Sequence, residues 1–191
     1  WECNYANWHV IYAHFEDFIT HAQPTEWSNI IKDKLLYIMA RDNEIGILAN
    51  LVGAHEKVLI ILTQYVFEHG SRDAKWQLTI QLKKLTDKDF ALKLLEIFVN
   101  DTEEYVNRRA LMELAFLQAD KTSYYCEKMW DKDIYGDDEE YQRIAILHAL
   151  KTIHSPLLSH YLTLALQDGR KYLVQNAEQI ESEMKNTSDK H

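Results

Sequence analysis

Glycine and proline are scarce in this chain: five and two residues among 191. A sheet needs turn residues about every ten positions, so their shortage excludes a strand-rich fold and favours long helices. Cysteine is also rare. Cys3 and Cys126 form no Cys-x-x-Cys pair and no zinc spacing. They read as two unpaired thiols of a reducing compartment. No run approaches eighteen apolar residues, so no membrane span is expected. Walker, dinucleotide and Gly-x-Ser-x-Gly patterns are all missing, and five glycines leave little material for a phosphate cradle. No cofactor is expected, and no catalytic constellation is legible. The chain opens at Trp1 and not at Met, which leaves room for a removed leader. The cysteine usage and the missing span together point to the cytoplasm.

What is present is an apolar fraction of 47%, enough for a packed core, and a formal net charge of −9. An acidic surface repels phosphate backbones, so a nucleic acid is a poor partner and a basic protein a better one. Length predicts one domain over 1–191. The oligomeric state is not legible.

Helical periodicity runs almost throughout. The first segment, Asn4 to Ala22, carries Tyr5, Trp8, Tyr12, Phe15 and Phe18 at spacings of three and four, along one side of a helix. Pro24 and Thr25 break it, and Ser28 or Thr25 caps a second helix with Ile31, Leu35 and Ile38 inward. A short helix from Asn43 to Val52 ends at Gly53. Another carries Val58, Leu62, Tyr65 and Val66 and ends on Gly70 as a C′ residue. These irregular helices occupy 1–70. Beyond them the spacing predicts helices near 72–85, 87–101, 102–117, 121–133, 137–153, 155–169 and 170–184. Links of two to four residues make antiparallel neighbours, and a polar tail at 185–191 should fray.

An internal repeat organises the second stretch. Leu82, Leu114 and Leu150 align at offsets of 32 and 36 residues, and so do Leu85, Leu117 and Ile153. Glu103-Glu104-Tyr105 recurs as Glu139-Glu140-Tyr141. Each of these helices is followed by a second apolar one, closing in acidic loops around Asp101, Asp133 and Asp168-Gly169. A hairpin of this size cannot close a core alone, so copies must stack, and all six aligned residues should be buried.

The pattern Asp101, Val106, Arg108, Arg109, Ala110, Leu114, Ala115, Leu117 resembles the inner helix of HEAT repeats. Asp137, Tyr141, Arg143, Ala145, Ala149 and Leu150 form a second copy. The resemblance covers about 72–170, with repeats drawn over 72–184. It implies an all-α, right-handed α-α superhelix, an armadillo-type solenoid of stacked antiparallel hairpins. HEAT repeats place an Arg six residues after an Asp to tie neighbours together. Asp137 and Arg143 keep that spacing, whereas Asn stands at 107. Such a resemblance concerns fold and carries no activity.

Candidate chemistry is thin. His14, Asp17 and His21 share a helical face, but three residues on one solvated helix do not complete a metal site, and no metal is expected. His148, His154 and His160 lack an ordered acid pattern. Asp137, Asp138, Glu139 and Glu140 favour a helix N-terminus, and could also catch a basic partner. The best candidate is a second stripe that the hairpin core does not require. It comprises Trp76, Ile80, Tyr105, Arg108, Met112, Tyr141 and His148, placed on the concave face of the superhelix and suited to a polypeptide, with Glu104 and Glu140 steering it. The expected function is therefore a non-enzymatic scaffold for protein binding. Small acidic helical-repeat proteins also resemble bacterial immunity proteins that neutralise basic nucleases. A third reading is a DNA glycosylase, since one alkylpurine family is similar in its HEAT-like repeats. Trp76, Arg108, Arg109, Arg143 and Lys151 would then face DNA.

Overall fold

The computed structural model describes residues 5–132 and 134–188. Among them there is no strand, and helices take in 77% of the positions. Cys3 and Asp133 lie outside the described residues. The chain divides into two compact units, with the boundary between Ala110 and Leu111.

The first unit is built on α1 (Trp8–His21), α2 (Asn29–Arg41), α3 (Ile47–Ala54), α4 (Glu56–His69), α5 (Arg72–Thr79) and α6 (Lys88–Phe98), and takes in the first half of α7 (Glu104–Phe116). Helix α5 packs on α2 and α4, and α3 packs on α1 and α4. Ser28, not Thr25, caps α2, accepting from the Ile31 amide at 3.4 Å. Gly46 takes φ +68°, so α3 begins only at Ile47. Gly53 does not end α3 but sits inside it. A Cβ there would lie 2.4 Å from the Gln81 side-chain oxygen, so a larger residue would require the flexible Gln81 side chain to swing aside. Gly70 caps α4 in extended conformation, not the left-handed one.

The helix expected over 72–85 stops at Thr79 and continues as a 3-10 turn over Leu82–Lys84. At its end the Thr79 hydroxyl donates back to the Lys75 carbonyl at 2.8 Å. No single helix is long and apolar enough to cross a membrane. The pair α3 and α4, apolar together, bends by 118°. Its apolar residues Leu48, Val52, Leu59, Leu62 and Val66 are buried in the core.

The second unit contains the rest of α7, then α8 (Thr122–Trp130), α9 (Glu139–Thr152), α10 (Leu158–Gln167) and α11 (Lys171–Ser188). Helix α9 is its centre and packs on α8, α10 and α11. The offset of 36 residues shows in the backbone. Helix α7 closes with the Ala119 amide on the Leu114 carbonyl at 3.0 Å, and α9 closes with the Ser155 amide on the Leu150 carbonyl at 2.9 Å. Gln118 and His154, again 36 apart, hold the left-handed positions these closures need, at φ +55° and +51°. The side chains repeat as well: Tyr125 of α8 and Tyr161 of α10 are both buried.

Of the six aligned core residues, Leu82, Leu85, Leu114 and Leu150 are buried. Leu117 and Ile153 are only half-buried. Both lie past the last full turn of their helices, where the chain turns toward the left-handed residue and carries the side chain off the apolar stripe. Of the pair at the HEAT-like spacing, Arg143 takes part in a tie and, among the described residues, Asp137 does not. Arg143 donates to Asp168 at 2.7 Å, while Asp137 lies exposed in a 3-10 turn, Gly136–Asp138.

Candidate functional site

The candidate residues fall in both units. In the first, Trp76 sits midway along α5, with Ile80 one turn on as the residue that ends the helix. Tyr105 and Arg108 sit on α7. All four are half-buried. Trp76 meets Tyr105 edge-to-face at 5.4 Å. The guanidiniums of Arg108 and Arg109 both lie 4.7 Å from the Tyr105 ring, and Arg109 donates to the Tyr105 hydroxyl. Glu104, itself buried, holds Arg108 through two bonds of 2.8 and 3.3 Å. Trp76, Tyr105 and Arg108 therefore form one interlocked cluster with Arg109, a residue of the DNA-facing set but not of the concave-face stripe. Glu104 serves this cluster and offers no carboxylate to a partner.

Nearby, Lys75 binds Asp101 at 2.9 Å. Asn107, fully buried, donates to the Asp101 carbonyl at 3.4 Å, six residues along but in place of the expected arginine.

In the second unit Met112 is half-buried on α7 and His148 half-buried on α9, with His148 Nε2 3.1 Å from the Asn176 side-chain oxygen of α11. Tyr141 is 45% exposed. Glu140 is occupied. One of its oxygens accepts the Tyr172 and Leu173 amides at 2.7 and 3.1 Å, capping α11 from a neighbouring helix. Asp168 is the electrostatic hub. The hydrogen bonds and charge of Arg170, with Arg143 adding to them, hold its carboxyl below the usual carboxylate range despite burial. Arg143 also lies 5.1 Å from the Trp130 ring.

The sequence fits no known family, and neither a curated protein nor a solved structure matches the chain.

Three features bear on function. First, the cations read as a DNA-facing set are all engaged within the chain: Arg108 with Glu104, Arg109 with Tyr105, Arg143 with Asp168 and Lys151 with Glu183. Arg108, Arg143 and Lys151, each matched to a carboxylate, offer little to a phosphate backbone, whereas Arg109 is bound to a neutral hydroxyl and keeps its charge. Second, the described residues hold no group of three or more metal-capable side chains. His21 instead turns back to its own helix, with Nδ1 3.2 Å from the Asp17 carboxylate. Third, Asp137 and Asp138 are exposed and make no ion pair with the described residues. They stand four and three residues before Tyr141, and Ile134, 69% exposed, stands three before Asp137. The start of α9 thus presents two unneutralised acids between two apolar side chains. The acidic run was legible in the sequence. Which acids stay free was not, because Glu139 and Glu140 are drawn into contacts with Arg170 and α11.

Proposed function

We propose that this protein is a non-enzymatic interaction module that holds a basic polypeptide against the start of α9. One observation carries the reading: Asp137 and Asp138 are exposed, with no ion pair to the described residues, and stand near Tyr141 and Ile134 along the chain. Paired charges contribute little to recognition, whereas unpaired acids beside apolar side chains attract a cationic chain and give it a surface to desolvate. The repeated closures of α7 and α9 support a HEAT-like arrangement of hairpins, in which such a surface would lie along a right-handed superhelix. A bacterial immunity protein blocking a basic nuclease is a specific form of this reading, favoured by the same acids.

Fluorescence anisotropy with labelled Lys/Arg-rich peptides, each bearing one aromatic or aliphatic anchor, tests the reading. The pair Asp137→Asn and Asp138→Asn should weaken binding at least about tenfold, the order expected for losing interface charges and their neighbours' shielding. The pair Glu16→Gln and Glu44→Gln alters net charge equally, in exposed positions of the first unit. It should leave affinity nearly unchanged. Equal losses from both pairs would reduce the effect to overall charge and remove the site.

A further inference from the structure

Cations are the minority in this chain, 21 against 30 acids, yet Lys83, Lys84 and Lys88 fall close together in sequence. The 3-10 turn Leu82–Lys84 gathers them. Leu82 and Leu85 are buried, and between them Lys83 is half-buried and Lys84 exposed. Lys88, which opens α6, folds back onto the turn. Its ammonium donates to the Lys83 carbonyl at 2.6 Å and to the Leu85 carbonyl at 2.8 Å.

The acids around this cluster are occupied. Glu56, at the start of α4, accepts from the Thr86 amide at 3.2 Å and from the Thr86 hydroxyl at 2.7 Å. Asp87 caps α6, accepting from the Phe90 amide at 3.0 Å, and Asp89 stands in the first turn of the same helix, where the dipole favours it. Lys84 reaches instead to α3. Its ammonium donates to the Asn50 side-chain oxygen at 3.4 Å, an acceptor it shares with Gln81. It also lies 3.0 Å from where a Cβ on Gly53 would stand, so the bare backbone lets it settle against the helix. Among the described residues Lys84 makes no ion pair. An ammonium held by an uncharged amide, partly stripped of water and set next to a second ammonium, gives up its proton more readily and becomes a nucleophile. Desolvation, with the Lys83 charge adding, accordingly pulls the Lys84 amine below the ordinary lysine range. Its exposure leaves the nitrogen open to a small reagent.

We infer that Lys84 is an acylation site, whose side-chain amine takes an acyl group from an activated donor, an acyl phosphate or an acyl thioester. The ammonium gives one proton to water, and the neutral nitrogen attacks the carbonyl carbon. The bond from that carbon to sulfur or to phosphate oxygen breaks, its electron pair leaving with the thiolate or phosphate. The nitrogen sheds a second proton to the leaving group or to water, and the product is an uncharged amide. The site lies in the first unit and does not depend on the surface at α9.

The test treats the full chain in separate arms with acetyl phosphate and with an acetyl thioester, and follows each lysine by peptide mass spectrometry. Lys84 should be acetylated at least about threefold faster than the exposed Lys34 and Lys93. A preference in one arm alone assigns the donor to that class. The rate at Lys84 should level off at a lower pH than the rate of a short lysine peptide. Asn50→Asp sets a carboxylate against the ammonium and should abolish the preference, at an exposed position that the core does not use. Unfolding in urea should abolish it too. The inference is overturned by equal rates at Lys84, Lys34 and Lys93 in both arms, by a pH profile matching that of the peptide, or by a preference untouched in Asn50→Asp.

Discussion

Leu114 and Leu117 stand three apart on the same expected stripe. Leu114 is 1% exposed and its carbonyl receives the closing bond of α7, while Leu117 is half-buried beyond the helix end. Leu114→Ala should therefore cost about 2–5 kcal/mol in urea denaturation, from lost transfer energy and the cavity left behind. Leu117→Ala should cost less than half as much. Equal costs would mean that the register at this helix end is misassigned. Cys126 makes a second residue-scale prediction. Burial, with Glu127 adding, pushes its thiol up to about 12, so almost no thiolate exists near neutral pH. In a Cys3→Ser chain, an aromatic disulfide reagent should react only after unfolding; fast reaction in the native state would contradict the buried placement. The apolar spacing made such core positions legible. It could not show that Glu104 and Glu140 are spent on Arg108 and on α11, because those partners are fixed by packing and not by local pattern.

Helices and their ends form the next scale. Most elements predicted after residue 86 exist within a few residues of their expected bounds, because each combines a polar start with a sustained apolar stripe. The failures lie at single positions: α5 stops at Thr79, and Gly46, at φ +68°, delays α3. The closures of α7 and α9 were not legible, since neither uses glycine; Gln118 and His154 take the left-handed position instead. Gln118 is retained by a bond to the Thr152 carbonyl at 3.1 Å, but His154 has no such tie. A non-glycine residue pays about 1–2 kcal/mol there, against about 0.5–1 for ordering glycine. His154→Gly should therefore stabilise the chain by about 0.5–1 kcal/mol, read as a higher denaturation midpoint at unchanged slope. A lower midpoint would show that the imidazole contributes packing at the α9 end.

At the scale of the whole molecule, the net charge of −9 is distributed unevenly in its availability. Asp101, Glu104, Asp168 and Glu183 are each matched to a cation, and three of the cations that could have faced DNA, Arg108, Arg143 and Lys151, are held in these pairs. What remains at the start of α9 is Asp137 and Asp138 beside Tyr141, and this surplus underlies the proposed grip on a basic polypeptide. The sequence supplied the sign of the charge and the repeat; three-dimensional pairing decides which acids are left over. The most direct measurement places a photo-crosslinking phenylalanine at position 141 and irradiates the protein in lysate of its source cell. The account predicts a discrete crosslinked product with a basic polypeptide, lost in Asp137→Asn with Asp138→Asn and not formed from the same probe at Tyr124, which is more exposed, at 57%. No product from position 141, or the same product from both positions, would contradict it.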